Sequence, residues 1–101
     1  MARFDVFVLR IGGQPQYALD VQADRLSDLP TRVMIPLAPQ AELRAAILDL
    51  IPIFKIAGRA YGMKTYDPIV VPARLARRPV FSFADRQDDI TRAIDILFGG
   101  Y

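Results

Sequence analysis

The sequence predicts an α+β fold, a small antiparallel β-barrel or sheet followed by one C-terminal α-helix. Three observations carry that reading. Short runs of aromatic and β-branched residues, separated by Gly and Pro turn signals, fill most of the chain. One stretch near the end spaces its apolar residues for a helix instead. The length, 101 residues, suits one domain, 1–101, and no linker, internal repeat or low-complexity tract divides it.

Phe4 to Leu9 (FDVFVL) reads as the first strand, with Gly12-Gly13-Gln14-Pro15 as a hairpin loop. Tyr17 to Ala23 alternates, with Tyr17, Leu19 and Val21 on one face and Asp20 and Gln22 on the other, the pattern of a half-buried strand. Residues 24–31 form a polar connection, and Asp20, Asp24 and Asp28 are expected as surface or turn carboxylates, since a calcium loop would need a central Gly and a final Glu. Arg32 to Leu37 is the third strand. Pro36 has no N–H to give a ladder, which places that end at a sheet edge or a bulge.

Gln40 to Leu50 is rich in Ala and Leu, with Leu43, Ile47 and Leu50 near helical spacing, so a short helix closed by Pro52 is expected. A second hairpin turns at Ala57-Gly58, and Ile69 to Val71 is a short strand between Pro68 and Pro72. Ala73 to Pro79 is a basic connection, and Val80 to Phe83 a last short strand. From Asp85 or Arg86 to Phe98, the residues Ile90, Ala93, Ile94, Leu97 and Phe98 make one apolar stripe. Asp85 is the expected N-cap, Asp88 and Arg92 an expected ion pair, and Gly99-Gly100 the stop.

Composition narrows function. There is no Cys and no His, which removes thiol nucleophiles, thiolate metal sites, the commonest general base and the commonest zinc ligand. Neither a metal nor another cofactor is expected, and Gly12-Gly13 lacks the Gly-Lys-Ser/Thr of a phosphate loop. A net charge of +2 is too small for direct nucleic-acid binding. Eleven of the thirteen cations are Arg, which suits pairing with carboxylates of a protein partner. The polar start Met1-Ala2-Arg3 with no long apolar run behind it points to a cytoplasmic protein without signal peptide or membrane span. The apolar content, 52%, is high for so short a chain and suggests a homodimer.

Leu19-Asp20-Val21-Gln22-Ala23-Asp24 followed by Arg32-Val33-Met34-Ile35-Pro36-Leu37-Ala38 resembles the DVQSD and RMVIPLA core of the CcdB toxin family. Asp89-Ile90, Ala93-Ile94, Phe98 and Gly100 resemble that family's C-terminal DIxxAIxxxFxG pattern, with Tyr101 closing it. Pro52, Ile56, Met63, Thr65 and Asp67 align between these anchors, so the resemblance spans nearly the whole sequence. It implies an SH3-like barrel with a C-terminal helix, forming a homodimer. Such toxins bind the DNA gyrase A subunit, trap it on cleaved DNA, and are neutralised by a CcdA-like antitoxin with an acidic segment.

The same resemblance implies that gyrase is contacted through Phe4, Phe7, Arg25, Leu26, Asp95, Phe98, Gly99, Gly100 and Tyr101. Four of these positions depart from the best-known member: Gly99 replaces a Trp, Tyr101 and Arg25 each an isoleucine, and Asp95 an asparagine. A buried aromatic anchor is worth about 2–4 kcal/mol by truncation, so Tyr101 is the candidate replacement, with Phe98 expected partly in the core. Arg74, Arg77 and Arg78 are either a solvated loop or the patch that receives the acidic antitoxin.

Two competing functions follow. MazF-type ribonuclease toxins share the barrel and need a positioned Arg with a hydroxyl; Thr31-Arg32 and Thr65 with Arg59 are the pairs to test. A diverged relative that binds antitoxin without poisoning gyrase would account for Gly99.

Overall fold

The computed structural model describes residues 2–43 and 50–99. They form strands β1 (Asp5–Ile11), β2 (Gln14–Asp20), β3 (Thr31–Pro39), β4 (Ile53–Ile56), β5 (Arg59–Met63), β6 (Ile69–Pro72) and β7 (Phe81–Ser82), then helix α1 (Gln87–Gly99). The α+β expectation holds.

The β1–β2 turn is tighter than expected. Gly12 and Gly13 alone make it, with φ of 62° and 83°, the backbone a two-residue hairpin needs and only Gly adopts freely. Gln14 and Pro15 already belong to β2, opposite Ile11 and Arg10. β3 is the central strand. It pairs with β2 along one side, and along the other with β6 through Thr31–Met34 and then with β5 through Leu37–Pro39.

Pro36 therefore lies inside the sheet, opposite Ala18, and not at an edge. Its carbonyl accepts from the Lys64 amide at 2.9 Å, so its ring nitrogen faces the gap where β3 changes partner. No ladder hydrogen bond is needed there, and the missing N–H costs little.

The strand order β4-β5-β3-β2-β1-β7, with β6 beside β3, curls the sheet into a half-barrel. Side chains bring its ends together. Phe83, just past β7, stacks on Phe54 of β4 with centroids 4.5 Å apart, and Arg86 donates to the Ile53 carbonyl at 3.2 Å while covering the Phe54 ring.

Alternation along the strands makes both faces of the sheet apolar. One face carries Val6, Leu19, Ile35, Leu37, Phe54, Ile56 and Met63, and is covered by Ile90 and Ala93 of α1. The other carries Phe7, Leu9, Ala18 and Met34 under Val71 and Ala76.

Asp85 does not cap α1, because it lies within a 3-10 turn, Ala84–Arg86, that leads into the helix. The Ser82 hydroxyl instead accepts from the Ala84 amide at 3.3 Å. The ion pair on this segment is Arg86–Asp89 at 2.8 Å, replacing the expected Asp88–Arg92 pair. Of the segment expected as a second helix, Gln40–Glu42 form a 3-10 turn and Leu43 is extended; residues 44–49 lie outside the described residues. Gly62 packs closely there, where a Cβ would press on the side chains of Leu43, Ile51 and Ile53.

Candidate functional site

Two exposed turns and the end of α1 carry the candidate contact residues, and a buried polar cluster lies behind the first turn. That turn follows β2. Arg25 and Leu26 stand exposed in a 3-10 turn, Asp24–Leu26. Its backbone is fixed from outside by the Arg3 amide, which donates to Asp24 Oδ1 at 2.7 Å, and by the Gln22 side chain, which donates to the Leu26 carbonyl at 2.9 Å.

Asp20 corrects a sequence expectation. It is not a surface carboxylate but fully buried, with Arg32 of β3 equally buried against it. Arg32 donates to Asp20 Oδ2 from Nε at 3.0 Å and from Nη2 at 2.5 Å, and the Gln22 amide donates to Oδ1 at 3.0 Å. Burial pushes the Asp20 carboxyl above its ordinary value, against the Arg32 and Gln22 hydrogen bonds that pull it down. Arg32 Nη1 has no hydrogen-bond partner among the described residues. A signal was available in the sequence: Asp20 shares the strand parity of Ala18, and Arg32 that of Met34, so opposite charges occupy one interior-facing row on neighbouring strands.

Phe4 and Phe7, expected as contacts, are buried and belong to the core. Phe4 packs on the face under α1 and Phe7 on the opposite face, so neither ring is available to a partner surface. Phe4 holds the left-handed conformation, φ 75°, which is costly for an aromatic residue and persists where the surroundings impose it. Those surroundings are its amide bond to the Asp20 carbonyl at 2.7 Å, its carbonyl bond from the Phe83 amide at 2.9 Å, and Arg3 over its ring at 4.6 Å.

On α1, Asp95 is exposed and Phe98 is 79% exposed. The apolar stripe thus weakens through the half-buried Ile94 and Leu97, and Phe98 is a surface aromatic, against the expectation that it joins the core. Gly99 is exposed at the last helical position; Gly100 and Tyr101 lie outside the described residues.

Arg74 lies in the second turn, Ala73–Leu75, and Arg77 and Arg78 follow it; all three are exposed, beside an exposed Leu75. This turn is anchored through the Ala73 amide on the Pro30 carbonyl at 2.8 Å, so the basic segment and the Arg25 turn are joined through the same connection into β3.

Neither hydroxyl–arginine pair is assembled for chemistry. Thr31 is exposed, but Arg32 is buried and paired with Asp20 through Nε and Nη2. Thr65 is 0% exposed and donates to the Leu50 carbonyl at 2.5 Å, while Arg59 is exposed over the Tyr61 ring. An open groove of about 610 Å³ lies at the far end of the sheet, lined by Val8, Tyr17, Leu37, Tyr61, Glu42 and Lys64 among others. No cluster of three His, Cys, Asp or Glu side chains among the described residues is placed to hold a metal ion. No described helix is long and apolar enough to cross a membrane.

Among solved structures, the chain is similar to an endoribonuclease in complex with its cognate antitoxin from Mycobacterial species. The TM-score is 0.81 over 98% of this chain and 95% of that one, at 13% identity, a likeness of fold. The family model described as CcdB protein matches residues 3–100. With that match spanning both the Asp20–Ala38 core and α1, the chain belongs to the CcdB family of toxins.

Proposed function

We propose that this toxin acts by binding and not by catalysis: as a homodimer it engages the DNA gyrase A subunit and traps gyrase on cleaved DNA, until a CcdA-like antitoxin removes it. One observation carries the choice. Arg32 and Thr65, one from each hydroxyl–arginine pair that RNA cleavage would use, are fully buried and hydrogen-bonded within the fold. Arg25, Leu26, Asp95, Phe98 and Gly99 are exposed, as contact residues must be, and Gly100 and Tyr101 complete the proposed contact set. The exposed Phe98 ring supports a further covered surface, in line with a second copy or a target.

Arg74, Arg77 and Arg78, exposed together on one short segment, are the proposed landing point of the antitoxin's acidic segment. The solved neighbour in complex with its antitoxin supports a partner of that kind. It also keeps a ribonuclease reading in view, although at 13% identity the likeness is one of fold.

The test is an incubation of purified protein with gyrase and supercoiled plasmid, beside the same protein with RNA. Linearised plasmid with intact RNA is expected. Cleaved RNA with untouched plasmid overturns the proposal, and neither product together with tight antitoxin binding identifies a diverged antitoxin-binding relative. Sedimentation at micromolar concentration should give twice the 11.3 kDa chain mass.

A further inference from the structure

Gln22 lies two residues beyond β2, on the strand parity of Asp20, and it is buried. Its groups are used in three directions. The main-chain N–H donates to Asp20 Oδ1 at 3.0 Å, Oε1 accepts from the Val33 amide at 3.0 Å, and Nε2 donates to the Leu26 carbonyl at 2.9 Å. A primary amide offers donor and acceptor on one rigid plane. Gln22 therefore ties β3 to the exposed turn, while Asp20, gripped by Arg32, fixes the backbone of Gln22 itself.

The turn has little else to hold it. Beyond its local bonds, Leu26 amide to Ala23 carbonyl, Ser27 amide to Asp24 carbonyl and Leu29 amide to the Leu26 carbonyl that Gln22 also holds, it is attached through Asp24 to the Arg3 amide. Arg25 is exposed and Leu26 is 43% exposed, and neither belongs to an apolar core cluster.

We infer that Gln22 is a positioning residue for target recognition, holding the Leu26 carbonyl so that Arg25 and Leu26 are presented to the partner in one arrangement. Gln22 touches no partner. A turn ordered beforehand loses less conformational freedom on docking, so affinity depends on a side chain outside the interface. The inference rests on the reading that this turn meets gyrase A.

Gln22→Glu separates positioning from general stability. The ionised carboxylate keeps the acceptor for Val33 but has no donor for the Leu26 carbonyl, whereas the neutral acid restores one. A buried Glu binds its proton above its ordinary value of about 4.3, which brings the neutral form within reach of mild acid. A gyrase A fragment is titrated against wild type, Gln22→Glu and Gln22→Met at about pH 8 and about pH 5. Both variants should bind about 5- to 20-fold more weakly at the higher pH, and only Gln22→Glu should recover at the lower. Asp20, Arg32, Asp24 and Arg3 surround the position in all three proteins, so any pH dependence of binding that does not come from residue 22 is read in wild type and divided out.

Amide hydrogen exchange at Leu26 and Ser27 should quicken in Gln22→Met while β1 and β2 stay protected. If the added charge unfolds Gln22→Glu at the higher pH, Gln22→Met still supplies both readouts. A folded Gln22→Met that binds as wild type does overturns the inference, as does a Gln22→Glu that shows no recovery in acid. If wild type itself fails to bind the fragment, the gyrase reading falls, and the exchange comparison alone decides whether Gln22 orders the turn.

Discussion

The two faces of the sheet are built from different materials. Under α1 every buried residue of the cluster is apolar, from Phe4 and Val6 through Phe54 to Ile90 and Ala93. The opposite face has a smaller apolar cluster, and the same parity continues into the buried Asp20 and Arg32 and on to Gln22. Hydrophobic burial is undirected, so the first face drives collapse and tolerates exchange of similar volumes. Charge-assisted hydrogen bonds are directional. The second face spends part of its interior on bonds that fix where the exposed connections leave the sheet.

Breaking the ion pair from one side should give the largest effect. Arg32→Met leaves the Asp20 carboxyl buried without its partner and is expected to cost about 3–5 kcal/mol in urea unfolding. The double variant Asp20→Leu with Arg32→Met should recover most of that loss, because burial already disfavours the ionised carboxyl and an apolar pair removes the desolvation cost. The double variant should nevertheless bind gyrase poorly, since the Gln22 amide loses its anchor on Asp20. Recovery of stability and affinity together would abolish the distinction between the faces.

The apolar face should respond in a simpler way. Ile90→Ala removes a fully buried side chain from α1 and should cost about 2–4 kcal/mol, with binding falling only in proportion to the unfolded fraction. Phe98→Ala is the contrast on the same helix. At 79% exposed, the ring contributes little to folding, and its loss should change stability by under about 0.5 kcal/mol while weakening gyrase binding by about 1–3 kcal/mol. A melting-temperature loss in Phe98→Ala as large as that in Ile90→Ala would place the ring in the core.

What was legible in the sequence follows the same division. Turn residues and period-two alternation mark the hairpins, because Gly12-Gly13 and Ala57-Gly58 are local signals. The apolar stripe marks α1 for the same reason. The second apolar face, which the alternation reads as half-exposed, depends on packing. Pro36 is expected at an edge or a bulge, and its place inside the sheet depends on β3 changing partner at that residue, a fact of topology. Asp20 was read as a surface group because its burial is set by Arg32 a strand away, and Asp85 as a cap because a 3-10 turn precedes α1. Of the candidate site, Arg25, Leu26, Asp95 and Gly99 are exposed as contacts would be, Phe98 is more exposed than its expected share in the core, and the burial of Phe4 and Phe7 needed the three-dimensional packing.

The smallest expected effect tests whether the apolar face alone holds its hairpin in register. β4 and β5 deliver Phe54, Ile56 and Met63 to that face, and the turn between them places Ala57 at φ 52° and Gly58 at φ 80°. Two left-handed residues in succession suit a hairpin turn, but the conformation costs an L-residue such as Ala about 1–2 kcal/mol. Ala57 is exposed, so no packing contact imposes the strain, unlike that at Phe4. Ala57→Gly relieves it and gives back about 0.5–1 kcal/mol through the greater freedom of Gly in the unfolded chain. The net expectation is a gain of about 0.5 kcal/mol with unchanged gyrase affinity. Phe4→Gly relieves the same kind of strain but removes a buried ring, and should lose about 3 kcal/mol or more. If Ala57→Gly lowers stability in urea unfolding, the turn and not the face sets the β4–β5 register, and the apolar face loses its claim to specify that hairpin unaided.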